Sequence, residues 1–389
     1  MPGIVAPGVY IEEIGGGPPP ISAAPTAVTA FVGWAPAGPA GTPVAVRGLP
    51  DFEKSFGQLD ARGWLGYALR HFFDNGGAHA LVVRIDAADG AALLPGTPEF
   101  HAALLPARGK GGVHALEEAG GFNLLCVPGE ATPTVLAELQ RFCAANRAFL
   151  IADCDPAAAP GALTAGPDPV LTGTHGRDGA LYFPWILAVD PLTGQPRAFP
   201  PSGFVAGIYA RIDSSRGVWK APAGSDATVI GALDAAQPLT DAQQGPLNRN
   251  AINCIRKRPG GVAIWGARTL AGGGSTPSDW RYVPVRRLAL FIEQSIARDT
   301  EWAVFEPNAE PLWLRLRSAS GSFLMALFQQ GAFQGATPED AFFVKCDATT
   351  TTQADIDRGT VNLLAGFAPL RPAEFVVLRF GLKAGQKRA

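Results

Sequence analysis

The hydrophobic pattern breaks the chain into short apolar runs, most of them closed by glycine or proline. The first, Ile4 to Glu13, is an extended stretch in which Val9 and Ile11 point one way and Tyr10 and Glu12 the other. Residues 15–25 then interrupt all regular structure with GGGPPP. From Thr26 strand-like and helix-like segments alternate. TAVTAFVGWAP reads as a buried strand, and PVAVRGLPDFEKSFG as a second strand followed by a helix that Asp51 caps. WLGYALRHFFDNGG is an amphipathic helix stopped at Asn75-Gly76-Gly77, where the left-handed conformation is available. AHALVVRI, FNLLCVPG and AFLIADCD are further strands. TPTVLAELQRFCAANR is a helix with Pro133 in its first turn and Val135, Leu136, Leu139 and Phe142 on one face. Strand–helix alternation of this kind predicts α/β layering.

After a Pro/Gly/Thr loop over 156–177, the pattern predicts a strand, a turn and a helix beginning near Ser202, then a connection over 233–245. In the last third, a helix is expected over Arg286–Arg298 with Leu288, Phe291, Ile292, Ser295 and Ile296 buried. A second is expected over Leu312–Gln330, with Leu312, Leu316, Phe323 and Leu327 facing inward. AFFVKCD and the terminal AEFVVLRFGL read as strands. A terminal strand such as Val9–Glu13, set apart by a Gly/Pro linker, has two options. It folds back on its own domain, or it pairs with a neighbour's sheet edge.

Composition narrows the function. The chain has 389 residues, 47% hydrophobic and 17% charged, with 47 glycines and 35 prolines, which fits a folded, loop-rich protein of more than one domain. A net charge of −2 gives no electrostatic basis for a nucleic-acid partner. No apolar run approaches the ~18 residues of a membrane span, and MPGIVAPGVYIEE lacks the basic-then-apolar order of a secretory signal. The five cysteines are scattered, form no C-x-x-C pair and mostly lie in apolar runs, so buried free thiols are expected.

No phosphate-loop, nucleophile-elbow or H-E-x-x-H motif occurs, and no catalytic, metal or cofactor site is expected. His175 and Asp178 in TGTHGRDG come closest to an acid/base pair, although their glycine-rich setting favours a surface loop. IRKRPGG over 255–261 is a local basic run. It reads as a solvated face, or as a contact to an acidic partner shared with Arg286, Arg287 and Arg298.

Several segments together carry a family resemblance. PGVYIEE, TAFVGWAPAGP, FPPSGFVAGIYARIDSSRGVWKAPAG, LNRNAINCIRKRPGGVAIWGARTL, WRYVPVRRLALFIEQSIARDTEWAVFEPN, GAFQG, AFFVKCDATTTTQADIDRG and GFAPLRPAEFVVLRF follow one another in that order. In that order the chain resembles contractile tail sheath proteins, in a short form with only residues 86–120 where many members carry a large inserted domain.

The resemblance implies an α/β (mixed α+β) fold and four parts: 1–25, an N-terminal arm and linker; 26–240, an outer and middle domain; 241–370, a C-terminal domain facing an inner tube; and 371–389, a C-terminal arm. It further implies hexameric rings of this chain stacked around an inner tube protein, with baseplate and terminator or cap proteins as further partners. Assembly in the bacterial cytoplasm, as part of a phage tail or a released tail-like particle, follows from the same likeness. On this reading the arms Val9, Tyr10, Ile11, Glu12, Glu13 and Glu374, Phe375, Val376, Val377, Leu378, Arg379, Phe380 add strands to neighbouring subunits, and Arg286, Arg287 and Arg298 are candidates to face the tube. The alternatives are a baseplate- or cap-proximal sheath paralogue, and an oligomeric α/β enzyme of unknown reaction.

Overall fold

In the computed structural model, the apolar runs between Thr29 and Ile264 assemble mainly into one eight-stranded sheet. The structure describes residues 19–87, 90–107, 109–273 and 278–374. These fall into a larger unit of residues 25–291 and 370–374 and a smaller one of 19–24 and 292–369.

The strands of the larger unit are β1 (Thr29–Trp34), β2 (Val44–Val46), β3 (Ala80–Ile85), β4 (Leu124–Cys126), β5 (Phe149–Asp153), β6 (Gly179–Phe183), β7 (Ile186–Val189), β8 (Pro196–Phe199), β9 (Ala232–Ala235), β10 (Ile252–Arg258) and β11 (Gly261–Ile264). The main sheet runs β11-β10-β6-β5-β4-β1-β3-β2. Neighbours from β10 to β3 pair in parallel, while β2 and β11 close the two edges antiparallel. A parallel sheet is covered on both faces, so its strands are apolar throughout rather than alternating. Phe31, Leu124, Phe149, Ile151 and Tyr182 enter one core, and their neighbours Val32, Leu125, Leu150 and Leu181 enter the other. A small antiparallel sheet, β8-β7-β9, belongs to the same unit.

The helices of this unit are α1 (Leu49–Phe56), α2 (Leu65–Asp74), α3 (Pro98–Leu104), α4 (Ala115–Ala119), α5 (Pro133–Ala145), α6 (Ser202–Arg216) and α7 (Asp241–Arg249). Helix α6 lies against α2 through Gly203 and Gly207. A Cβ at Gly207 would stand 2.4 Å from the Phe72 carbonyl oxygen, and one at Gly203 2.4 Å from that of Ala68. The expected strands and helices between Thr26 and Asp155 are all present, but α1 starts at Leu49 after Gly48, so Asp51 lies inside the first turn and accepts from the Arg47 amide rather than capping the helix. Between β3 and β4, α3 and α4 bury Phe100, Leu104 and Leu116.

Helix α8 (Val283–Asp299) contributes residues to both units. The smaller one continues with α9 (Glu310–Gln329), α10 (Pro338–Ala341), β12 (Phe342–Lys345), α11 (Gln353–Asp357) and β13 (Leu364–Phe367). Leu312, Leu316, Phe323 and Leu327 are buried on α9 as expected. The expected division at residue 240 is not where the chain separates. β10 pairs in parallel with β6 (Ile252 with Leu181, Cys254 with Phe183), so residues 241–291 complete the larger unit's sheet. All five cysteines are buried free thiols.

Candidate subunit interface

The smaller unit contains a sheet of only two strands. β12 and β13 pair antiparallel, Phe342 opposite Phe367 and Lys345 opposite Leu364. One face is seated on aromatic rings: Phe333 lies 6.0 Å from Phe342 and 5.5 Å from Phe367 between ring centroids. The other face leaves Phe343 (52%) and Leu364 (51%) exposed. The Ala368 amide donates to the Ala341 carbonyl at 2.8 Å, which fixes the hydrogen-bonding parity of the pair. The backbone groups of Val344 on β12, and of Ala365 and Phe367 on β13, therefore point outward, and no described residue pairs with them. A lone two-stranded sheet is marginal in water, and its unpaired edges are templates for a further strand.

The expected arm residues Val9, Tyr10, Ile11, Glu12, Glu13 and Phe375, Val376, Val377, Leu378, Arg379, Phe380 lie outside the described residues. Where the two arms leave the body is described. Ser22 donates its amide and hydroxyl to Asp299 Oδ2 at 2.7 and 2.6 Å, at the end of α8. The Ala24 amide donates to Ser295 Oγ at 3.0 Å. At the other terminus Glu374, expected within an exchanged strand, is instead gripped by its own protomer. Its carboxylate takes Arg268 Nε at 2.8 Å and Nη2 at 2.5 Å, Tyr282 Oη at 3.2 Å and Asn248 Nδ2 at 3.3 Å. Burial raises the Glu374 pKa, but these donors and the Arg268 charge outweigh it and hold the carboxyl below its ordinary value.

The candidate tube-facing arginines need correction. Arg286 and Arg287 are 5% and 2% exposed. Arg286 pairs with Asp178 at 2.8 Å, and Arg287 grips Asp213 at 2.6 and 2.9 Å while donating to the Thr26 carbonyl at 3.0 Å. Their charges are neutralised inside the larger unit, so neither presents a cation to an outside partner in this fold. Arg298 is half exposed, but it pairs with Asp299 and donates to the Ser22 carbonyl, fastening the N-terminal segment. In the basic run at 255–261 only Arg256 among the basic residues is buried, and Lys257 stays exposed. Arg256 is buried and donates to Asp241, Gln244 and the Leu239 carbonyl; Lys257 pairs with Asp234 at 3.0 Å; Arg258 lies 4.2 Å over Trp265.

Asp178 resolves the catalytic-looking segment. It is fully buried and committed to Arg286, with His175 Nδ1 at 3.8 Å, outside hydrogen-bonding distance. The segment is an anchor for α8 rather than an acid/base site. Sequence reasoning missed this partnership and the Arg268 grip on Glu374. The available signal was two adjacent arginines inside the apolar run VPVRRLALF, which a helix buried on all sides must pair internally. No group of three or more His, Cys, Asp or Glu able to hold a metal occurs among the described residues. No described helix is long and apolar enough to cross a membrane.

The larger unit pairs its buried charges internally, and the smaller unit carries a two-stranded sheet with outward backbone groups at Val344, Ala365 and Phe367. Residues 110–270 match the phage tail sheath protein central domain and residues 275–383 the phage tail sheath C-terminal domain. The chain belongs to the phage tail sheath family, as a structural subunit of the contractile injection system class and not an enzyme. A chain of the cryo-EM structure of the anti-feeding prophage (AFP) baseplate, 6-fold symmetrised, is similar at TM-score 0.73 and 32% identity, covering 98% of this chain and 100% of that one. A chain of the PVC sheath complex, an extracellular contractile injection system in the contracted state, gives TM-score 0.74 at 31% identity over 98% of each. The tail sheath protein of Enterobacteria phage T4 is 26% identical over 193 residues, 49% of this chain but 28% of the T4 protein.

Proposed function

We propose that this chain polymerises as stacked hexameric rings around an inner tube, and that contraction of the polymer drives the tube through a target envelope. The observation that carries this reading is the two-stranded β12–β13 sheet, whose outward backbone groups at Val344, Ala365 and Phe367 have no partner among the described residues. Strands from neighbouring copies, Val9–Glu13 and the segment after Glu374, would complete it. Each five-residue strand adds about 4–5 backbone hydrogen bonds, worth about 0.5–1.5 kcal/mol apiece. Apolar anchors such as Val9, Ile11, Phe375 and Val377 add about 1.5–3 kcal/mol each where they become buried. Bonds of that size keep copies linked while their bodies move, and the energy for movement resides in the assembled state without a nucleotide motor.

The six-fold symmetry of the similar AFP baseplate supports the ring, and the contracted state of the similar PVC sheath supports the motion. Likeness to a baseplate chain also favours a second reading, a specialised ring next to a baseplate. The partners on either reading are further copies of this chain, an inner tube protein, and baseplate and cap proteins. Assembly would take place in the bacterial cytoplasm, and the finished tail or tail-like particle is open to release. Deletion of residues 1–14 tests the mechanism. It should leave a folded protein that no longer forms tubules; tubules of normal appearance from that truncation would reject strand exchange.

A further inference from the structure

The two chain ends leave the body in physically different ways. On the N-terminal side Ser22 is fastened to Asp299 at the end of α8 in the smaller unit, and Ile21 before it is buried. Seven residues, 14–20, lie in sequence between Ile21 and the proposed arm Val9–Glu13, a span of at most about 23 Å at roughly 3.3 Å per residue. On the C-terminal side the pinned residue is Glu374, in the larger unit, and the arm begins at the next residue.

The Glu374 attachment is built as a fixed point. Side-chain exposure is 8% for Arg268 and 17% for Glu374, so the pair is shielded from water and salt. The guanidinium engages both carboxylate oxygens, a geometry that resists rotation as well as separation. Arg268 is itself held on both sides. Its backbone amide donates to Asn253 Oδ1 at 2.8 Å, and Asn253 Nδ2 donates to the Arg268 carbonyl at 2.8 Å. Asn253 lies on β10, which pairs in parallel with β6 one strand in from the β11 edge of the main sheet. A pull on residue 375 therefore passes through Glu374 and Arg268 into the main sheet.

Building on the arm-exchange reading above, we infer that the Arg268–Glu374 clasp is the rigid anchor of the C-terminal arm and sets the spacing between joined copies. Glu374 and Arg268 act as positioning residues, with Tyr282 and Asn248 completing the grip. The clasp adds no strand of its own. It removes freedom from the one that follows it.

The test uses the full chain and two readouts, the melting temperature of unassembled protein and the axial rise and twist of tubules by cryo-electron microscopy. Insertion of Gly-Ser-Gly-Ser between Glu374 and Phe375 leaves the clasp and the arm intact and adds only slack. It should leave the melting temperature unchanged, raise the concentration needed for tubules about tenfold or more, and shift or blur their rise and twist. Glu374→Ala should reproduce the assembly defect, and Glu374→Gln, which keeps the Tyr282 and Asn248 contacts available, should be milder. Should Glu374→Ala fail to fold, the insertion and Glu374→Gln still decide. Tubules of wild-type rise and twist from the insertion variant would overturn the inference. Deletion of 375–389 separates the two ideas: loss of tubules there with normal geometry from the insertion rejects only the clasp, while tubules surviving the deletion reject arm exchange and the clasp together.

Discussion

Replacing Arg287 by Ala probes whether this arginine serves the protomer or an outside partner. The side chain is 2% exposed, bidentate on Asp213, bonded to the Thr26 carbonyl, and its guanidinium lies 4.5 Å from the ring of Tyr209. Burial works against its charge, and the Asp213 carboxylate more than compensates, so the pKa of Arg287 stays above its usual value. Removing the guanidinium leaves Asp213 buried without its counter-charge. Breaking a buried pair on one side costs about 3–5 kcal/mol. At about 2–4 °C per kcal/mol for a unit of this size, the melting temperature should fall by roughly 10 °C. Near-UV circular dichroism on unassembled protein, followed through a thermal scan, measures this directly. The double variant Arg287→Met, Asp213→Leu should recover much of the loss, because replacing both partners with apolar groups is often close to neutral. Charge reversal at Arg287 should unfold the protein rather than merely block assembly. A wild-type melting curve for Arg287→Ala combined with loss of tubules would refute this reasoning and return the residue to an outside surface.

Gly207→Ala places a Cβ against the Phe72 carbonyl oxygen and the Asn75 side chain, so α2 and α6 must separate; a loss of about 1–3 kcal/mol in chemical denaturation is expected. His71 is stacked on Phe204 at 3.8 Å between centroids, and burial holds its pKa down at about 3. The unfolded chain binds a proton there below about pH 6.5 and the folded chain does not, so stability drops by about 1.4 kcal/mol per pH unit as pH falls from 6.5 toward 3. His71→Phe should flatten that slope in urea titrations at pH 6.5 and 4.5, and an unchanged slope contradicts the assignment. Phe305 is fully exposed at φ 70°. Phe305→Gly removes left-handed strain without uncovering buried surface, so unfolding should require about 1 kcal/mol more, read by differential scanning calorimetry.

The α/β alternation up to Asp155 was legible because its strands are apolar on both faces and its turns are marked by Gly, Pro and Asn. The last third was legible in its elements and less so in its packing. The stripe Leu288, Phe291, Ile292, Ser295 suggested a half-buried helix with arginines outward. Every residue from 283 to 292 is in fact buried, with the charges matched by Asp178 and Asp213 far away in sequence. Periodicity cannot report a partner contributed by another element. β13 escaped notice because Leu364–Phe367 is short and includes Gly366, which the Phe343 ring covers. The division at 240 failed for a related reason: pairing between β10 and β6 is long-range, and nothing local in INCIRKR announces it. The open β12–β13 sheet was foreshadowed only by the family likeness.

On this reading the β12–β13 sheet is finished by other copies of the chain. A cryo-electron microscopy map of tubules grown from the full-length protein, at a resolution that traces the backbone, measures this most directly. Residues 9–13 and 375–380 of neighbouring copies should run alongside β12 and β13 as added strands. A map in which both chain ends pair within their own molecule, leaving those edges bare or covered by loops, would contradict it.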